Sequence, residues 1–133
     1  MRRALALGAA LLLAGCVPPS PGTCPSPLGR ARTAFLFFGR SQAQGGEVSI
    51  RQWRRFVRTA IIPEFPSGFS VLSARGYWRG PKRAGFEASK VVVIVLPGRG
   101  DDLARLAAIR SAYKRRFRQQ SVLEWIEAGC AGF

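Results

Sequence analysis

The chain has 133 residues and a formal net charge of +14, from 21 lysines and arginines against 7 acidic residues, with 47% hydrophobic residues and no histidine. Without imidazole, most zinc sites, Ser-His-Asp catalysis and histidine-ligated haem are excluded. The positive balance favours anionic partners, but nearly all of it is arginine, since only Lys82, Lys90 and Lys114 are lysines, and a GC-rich genome also produces that bias.

The N-terminus reads as a leader. Arg2 and Arg3 form a basic start, Ala4 to Leu13 an apolar run, and Leu13-Ala14-Gly15-Cys16 ends it. The run is shorter than the roughly 20 apolar residues a spanning helix needs. Leu-Ala-Gly before cysteine resembles a bacterial lipoprotein signal. That resemblance implies cleavage after Gly15, Cys16 as the lipid-bearing first residue, and a stable membrane anchor through several acyl chains. Val17 and Pro18 follow with no aspartate, which points to the outer membrane in a Gram-negative host. Residues 1–15 are therefore expected to be signal peptide. Residues 16–29, rich in Pro, Ser and Gly, are expected to be a flexible tether. Residues 30–133 are then one domain of about 100 residues, enough for one small core.

Within the domain, Arg32 to Phe38 is a dense apolar run ending at Gly39 and reads as a buried strand. Gln42 to Glu47 reads as a loop. Ser49 starts a helix, with Gln52 at capping-box spacing. Its inner face is Ile50, Trp53, Val57, Ala60 and Ile61, opposite Arg51, Arg54, Arg55 and Arg58. Pro63 stops it. Phe69 to Trp78 is a second strand, Arg79 to Gly85 a polar hairpin loop, and Ser89 to Leu96 a third strand broken by Pro97-Gly98. Asp101 or Asp102 caps a second helix with the stripe Leu103, Leu106, Ile109, Tyr113 and Phe117. Ser121 to about Glu127 is a fourth strand.

The order β-α-β-β-α-β is the split, ferredoxin-like arrangement of the α+β class. It predicts a four-stranded antiparallel sheet ordered 4-1-3-2 with both helices on one face. The central strands are apolar on both faces, which calls for cover on the second face too. A homodimer packed sheet to sheet supplies it. Cys24 precedes the first strand and Cys130 follows the fourth, so both fall at one end of neighbouring strands, and an envelope location favours their disulfide.

Catalytic chemistry is sparse. Asp101-Asp102 lacks further ligands for calcium, and Glu124 and Glu127 point to opposite faces of one strand. Gly98-Arg99-Gly100 is too short for a phosphate loop. No metal or other cofactor is expected. Three constellations remain: the arginine stripe Arg51, Arg54, Arg55 and Arg58, suited to anionic lipid or glycan; Arg110 inside the second helix's apolar stripe; and Arg75, Tyr77 and Glu124, expected together on the non-helical sheet face with Arg40 at its rim. With Arg110 and Tyr113, these last residues form a candidate pocket.

The segments Phe38-Gly39-Arg40, Pro63 to Leu72, Gly76-Tyr77-Trp78, Ser89-Lys90-Val91-Val92, Ile109 to Phe117 and Gln120 to Leu123 occur in that order. With Trp53 and Phe56 between the first two, they resemble a family of small exported proteobacterial proteins and lipoproteins that is a domain of unknown function. The resemblance implies a one-domain bacterial envelope protein from Thr33 onward and carries no catalytic residues. The expectation is an outer-membrane-anchored, periplasm-facing binding or assembly module. Its partner would be a second copy, an envelope protein or an anionic ligand, not nucleic acid. The competing class is a small metal-free enzyme or small-ligand binder of the dimeric α+β barrel type, using Arg40, Arg75, Tyr77, Arg110 and Tyr113.

Overall fold

Strand β1 (Gly29–Gly39) is the centre of the sheet. Its even-numbered residues Ala34, Leu36 and Phe38 are fully buried, whereas Phe35 and Phe37 between them are only half-buried. That alternation assigns the two faces, because successive strand residues point opposite ways. The computed structural model describes residues 22–79 and 84–132. The leader, Cys16, residues 80–83 of the expected hairpin loop and Phe133 fall outside those residues.

The remaining elements are helix α1 (Ile50–Phe56), which continues as a π-helical turn Val57–Ile61, then β2 (Ser70–Arg79), β3 (Ala84–Val95), α2 (Asp102–Phe117) and β4 (Leu123–Ala131). The sheet is antiparallel in the order β2-β3-β1-β4. This is the expected ferredoxin-like α+β topology. Leu36 pairs with Val92 and with Glu124, and Val92 pairs with Val71. This row lies on the helical face.

α1 begins with the expected capping box: the Ser49 hydroxyl accepts from the Gln52 N–H, and the Gln52 side chain accepts from the Ser49 N–H. The π turn has two contributors. The Thr59 hydroxyl donates to the Arg55 carbonyl at 2.9 Å, a back-bond that competes with regular helix. Pro63 has no N–H with which to extend the helix. The Ile62 N–H instead reaches Val57 at 3.0 Å, and Ile61 is fully buried.

The core is aromatic. Phe38, Trp53, Phe56, Tyr113 and Phe117 pack with ring centroids 4.7 to 6.1 Å apart, mostly edge to face, the arrangement ring quadrupoles favour. Two expected inner residues are not in it. Ile50 is exposed at the first turn of α1, and Leu103 is 51% exposed at the start of α2. Asp102 is buried, and its carboxylate accepts the N–H groups of Gly98 and Arg99, both at 2.9 Å. It ties down the loop before α2, while Asp101 occupies the N-cap without a side-chain bond.

Cys24 and Cys130 form a disulfide with Cα atoms 5.6 Å apart. It fastens the segment before β1 to the end of β4, where Arg30 pairs with Cys130. Among the described residues, no helix is long and apolar enough to cross a membrane.

Candidate functional site

The candidate pocket residues do not converge. Arg75 pairs with Ala88 and Tyr77 with Phe86, in the same parity as Ser73, Lys90 and Phe38. They therefore belong to the helical side, not the open face as expected. The long β2–β3 hairpin carries them to an exposed cluster. The Arg75 guanidinium lies 5.4 Å from the Phe86 ring centroid, and Tyr77 meets Phe86 edge to face at 5.3 Å. Glu124 is also on the helical side, where Arg110 donates to it at 2.8 Å. That ion pair explains the arginine inside an apolar stripe.

Arg40 pairs with Glu47 at 3.2 Å and donates to the Val48 carbonyl, so it closes the loop after β1. Tyr113 donates to the Gly39 carbonyl at 2.9 Å, and burial raises its phenol pKa well above the ordinary tyrosine range. Arg51, Arg54 and Arg55 of α1 and Arg58 of the π turn are all exposed. Arg116 of α2 donates to Thr59, and Lys114 and Arg115 beside it are exposed too. The helical layer thus presents a wide cationic surface.

The opposite face is built differently. Register and parity place on it Thr33, Phe35 and Phe37 of β1, Leu72, Ala74 and Trp78 of β2, Glu87, Ser89, Val91, Val93 and Val95 of β3, and Leu123, Trp125 and Glu127 of β4. Phe35 and Trp125 stack with centroids 5.4 Å apart. Trp125 is 55% and Leu72 50% exposed. No arginine or lysine of the described strands has this parity: Arg30, Arg32, Arg75, Arg79 and Lys90 all have the other. Among the described strand residues, a chain of charge +14 thus keeps arginine and lysine off this face, which is apolar apart from Thr33, Glu87, Ser89 and Glu127.

At one end of that face a cleft of about 500 Å³ opens between Phe37, Trp78, Glu87, Leu123 and the segments around Ser41 and Arg118. Two glycines shape it. An atom added at Gly39 would stand 2.5 Å from Glu87 Oε1, so the carboxylate lies across β1 only because that residue has no side chain. At Gly76, the strand partner of Glu87, the added atom would stand 2.8 Å from Trp78 Nε1. The indole edge therefore lies close over Gly76. Trp78 Nε1 is shut off from solvent without an acceptor, and among the described residues Glu87 has no ion-pair partner. Gln119 donates to the Ser41 carbonyl at 2.8 Å, fixing the cleft's outer wall.

Glu87 and Trp78 are not among the residues the sequence singles out. The Gly39 and Gly76 positions on otherwise apolar strands were the available signal, since glycine inside a strand often marks close approach of another group. A second cavity, about 790 Å³, lies at the disulfide end between Arg30, Arg32, Arg99 and Asp102. Among the described residues no cluster of three or more acidic, cysteine or histidine side chains is placed to hold a metal.

No curated protein matches the chain. Among solved structures, a phage SAM lyase in the apo state is similar over 82% of this chain and 95% of its own, with 19% identity and a TM-score of 0.60. The same enzyme type in complex with S-methyl-5′-thioadenosine gives 18% identity, coverage of 76% and 88%, and a TM-score of 0.57. CutA from Synechococcus elongatus reaches only 0.49 at 9% identity, over 78% of this chain and 86% of its own. The lyase likeness is one of fold. The family model of DUF3574, a protein of unknown function, matches residues 33–133, and the chain belongs to that family.

Proposed function

We propose that this protein is a lipid-anchored component of the bacterial envelope that works as a binding module, and that its open sheet face docks a second copy of the same chain. The cation-free face carries the reading. Two molecules this basic repel one another over most of their surfaces. The open face brings them together with aromatic and branched residues and without opposed arginines. Burial of apolar area is the main source of association energy, and a patch this continuous on a soluble domain marks an interaction site. An isologous pair also covers both copies at once. The Cys24–Cys130 disulfide supports an oxidising compartment, in keeping with the leader and the Leu13-Ala14-Gly15-Cys16 signal. The cationic helical layer, facing away from the docked surface, suits anionic headgroups near the anchor.

The anchor is tested by the intact mass of the protein extracted from host membranes without reductant, beside a Cys16→Ala chain. The expected mass is that of the chain from Cys16 onward plus acyl groups and less two hydrogens, with the acyl mass absent from the variant. A soluble wild-type chain without acyl groups overturns it. Docking is tested by cross-linking from Trp125 in membranes, where a joined pair of copies supports the reading and its absence contradicts it.

A further inference from the structure

The cleft beside Glu87 has the make-up of a small-molecule site. It is concave and joins apolar walls to placed polar and charged groups, among them Glu87, Arg79, Gln119 and Arg118. Its one acid, Glu87, lies across Gly39 without a cationic partner among the described residues, although the chain carries 21 lysines and arginines. With no ion pair among the described residues, this carboxylate is available for an external cation. Trp78 lines the same cleft, with a buried N–H that lacks an acceptor. A buried donor left unsatisfied is costly, and a ligand oxygen or a small turn of the ring satisfies it. Phe37 and Leu123 supply apolar walls, and Arg118, exposed at the C-cap of α2, lines the outer side.

We infer that this cleft binds a small zwitterion of the amino-acid class, with its ammonium group on Glu87, its apolar side group against Phe37, Trp78 and Leu123, and its anionic group toward Arg118. A simple cation fits less well. The positive field of the whole molecule repels it on approach, whereas a zwitterion carries no net charge and has a partner for each end. The wall formed by Ser41 is held in place by Gln119, so the site is formed before the ligand arrives. The inference goes beyond the docking reading and does not depend on it.

Calorimetric titration of the purified full chain with phenylalanine, 2-phenylethylamine and 3-phenylpropanoate tests it, since these share the ring and differ in charge. Phenylalanine is expected to bind saturably at millimolar concentration or below, phenylethylamine more weakly, and phenylpropanoate weakest. Glu87→Gln is expected to weaken phenylalanine at least about tenfold, the loss of one charge-assisted hydrogen bond. It should leave phenylpropanoate and the unfolding temperature unchanged. Cross-linking between copies from Trp125 should persist in that variant, which separates this inference from the docking reading. No saturable phenylalanine binding, phenylpropanoate binding as tight as phenylalanine, or a Glu87→Gln chain that binds phenylalanine normally would each overturn it. The wild-type comparison stands even if the variant does not fold.

Discussion

Gly39 is held from both sides. Its carbonyl accepts the Tyr113 hydroxyl from the helical side at 2.9 Å, and its bare Cα accommodates the Glu87 carboxylate on the open side. Tyr113 is fully buried in the aromatic core, so Tyr113→Phe keeps the packing and leaves one carbonyl unpaired. A loss of about 1–2 kcal/mol is expected in urea unfolding. The tyrosine also gives the fold a pH dependence. Burial raises its folded pKa, with the Arg40 charge opposing and Glu87 adding to the rise. Above the ordinary tyrosine value of about 10, the unfolded chain therefore loses this proton before the folded chain does. The contribution is complete below pH about 10 and declines above it. Wild type should lose stability more steeply than Tyr113→Phe as pH rises past that point; parallel curves would contradict the assignment. Reading single residues from sequence succeeded where one contact decides, as at Ser49 and Gln52. It failed for Arg75, Tyr77 and Glu124, whose face depends on pairing register, and a shift of one residue moves every side chain across the sheet.

At the scale of elements, the two central strands are legible as dense apolar runs and both helices by their apolar stripes. β3 starts five residues earlier than the Ser89 expected from its branched run, at Ala84. Ala84, Gly85 and Ala88 carry weak strand preference, and pairing with β2 imposes the conformation. That extension contains Glu87, which explains why the cleft is not readable from the chain. Likewise β4 runs to Ala131 through Ala128 and Gly129, held by β1 and by the Cys24–Cys130 bond. The disulfide closes 106 residues of sequence separation, for which the chain-entropy estimate is roughly 4–5 kcal/mol. Replacing both cysteines by alanine should lower stability by up to that amount. It should also speed amide exchange at the start of β1 and the end of β4, leaving the Phe38–Tyr113 cluster protected. Unchanged exchange at those strand ends would show that the bond is not what fastens them.

The whole molecule is two-sided. Arginines crowd the helical layer, and among the described strand residues the open sheet face carries aromatic and branched side chains without arginine or lysine. This segregation follows from where each strand's even and odd residues fall. Apolarity on both sides of β1 and β3 already indicated that the second face needs cover. The absence of cations there appears only once register is known, because Arg75, Arg79 and Lys90 interrupt β2 and β3 in sequence without reaching that face. The docking of two copies through this face is tested most directly by placing a photo-crosslinking amino acid at Trp125, irradiating intact membranes, and sizing the product. The account predicts a covalent pair of this chain from Trp125 and none from Arg55 on the helical layer. Failure to form that pair from Trp125, or equal yields from both positions, would contradict it.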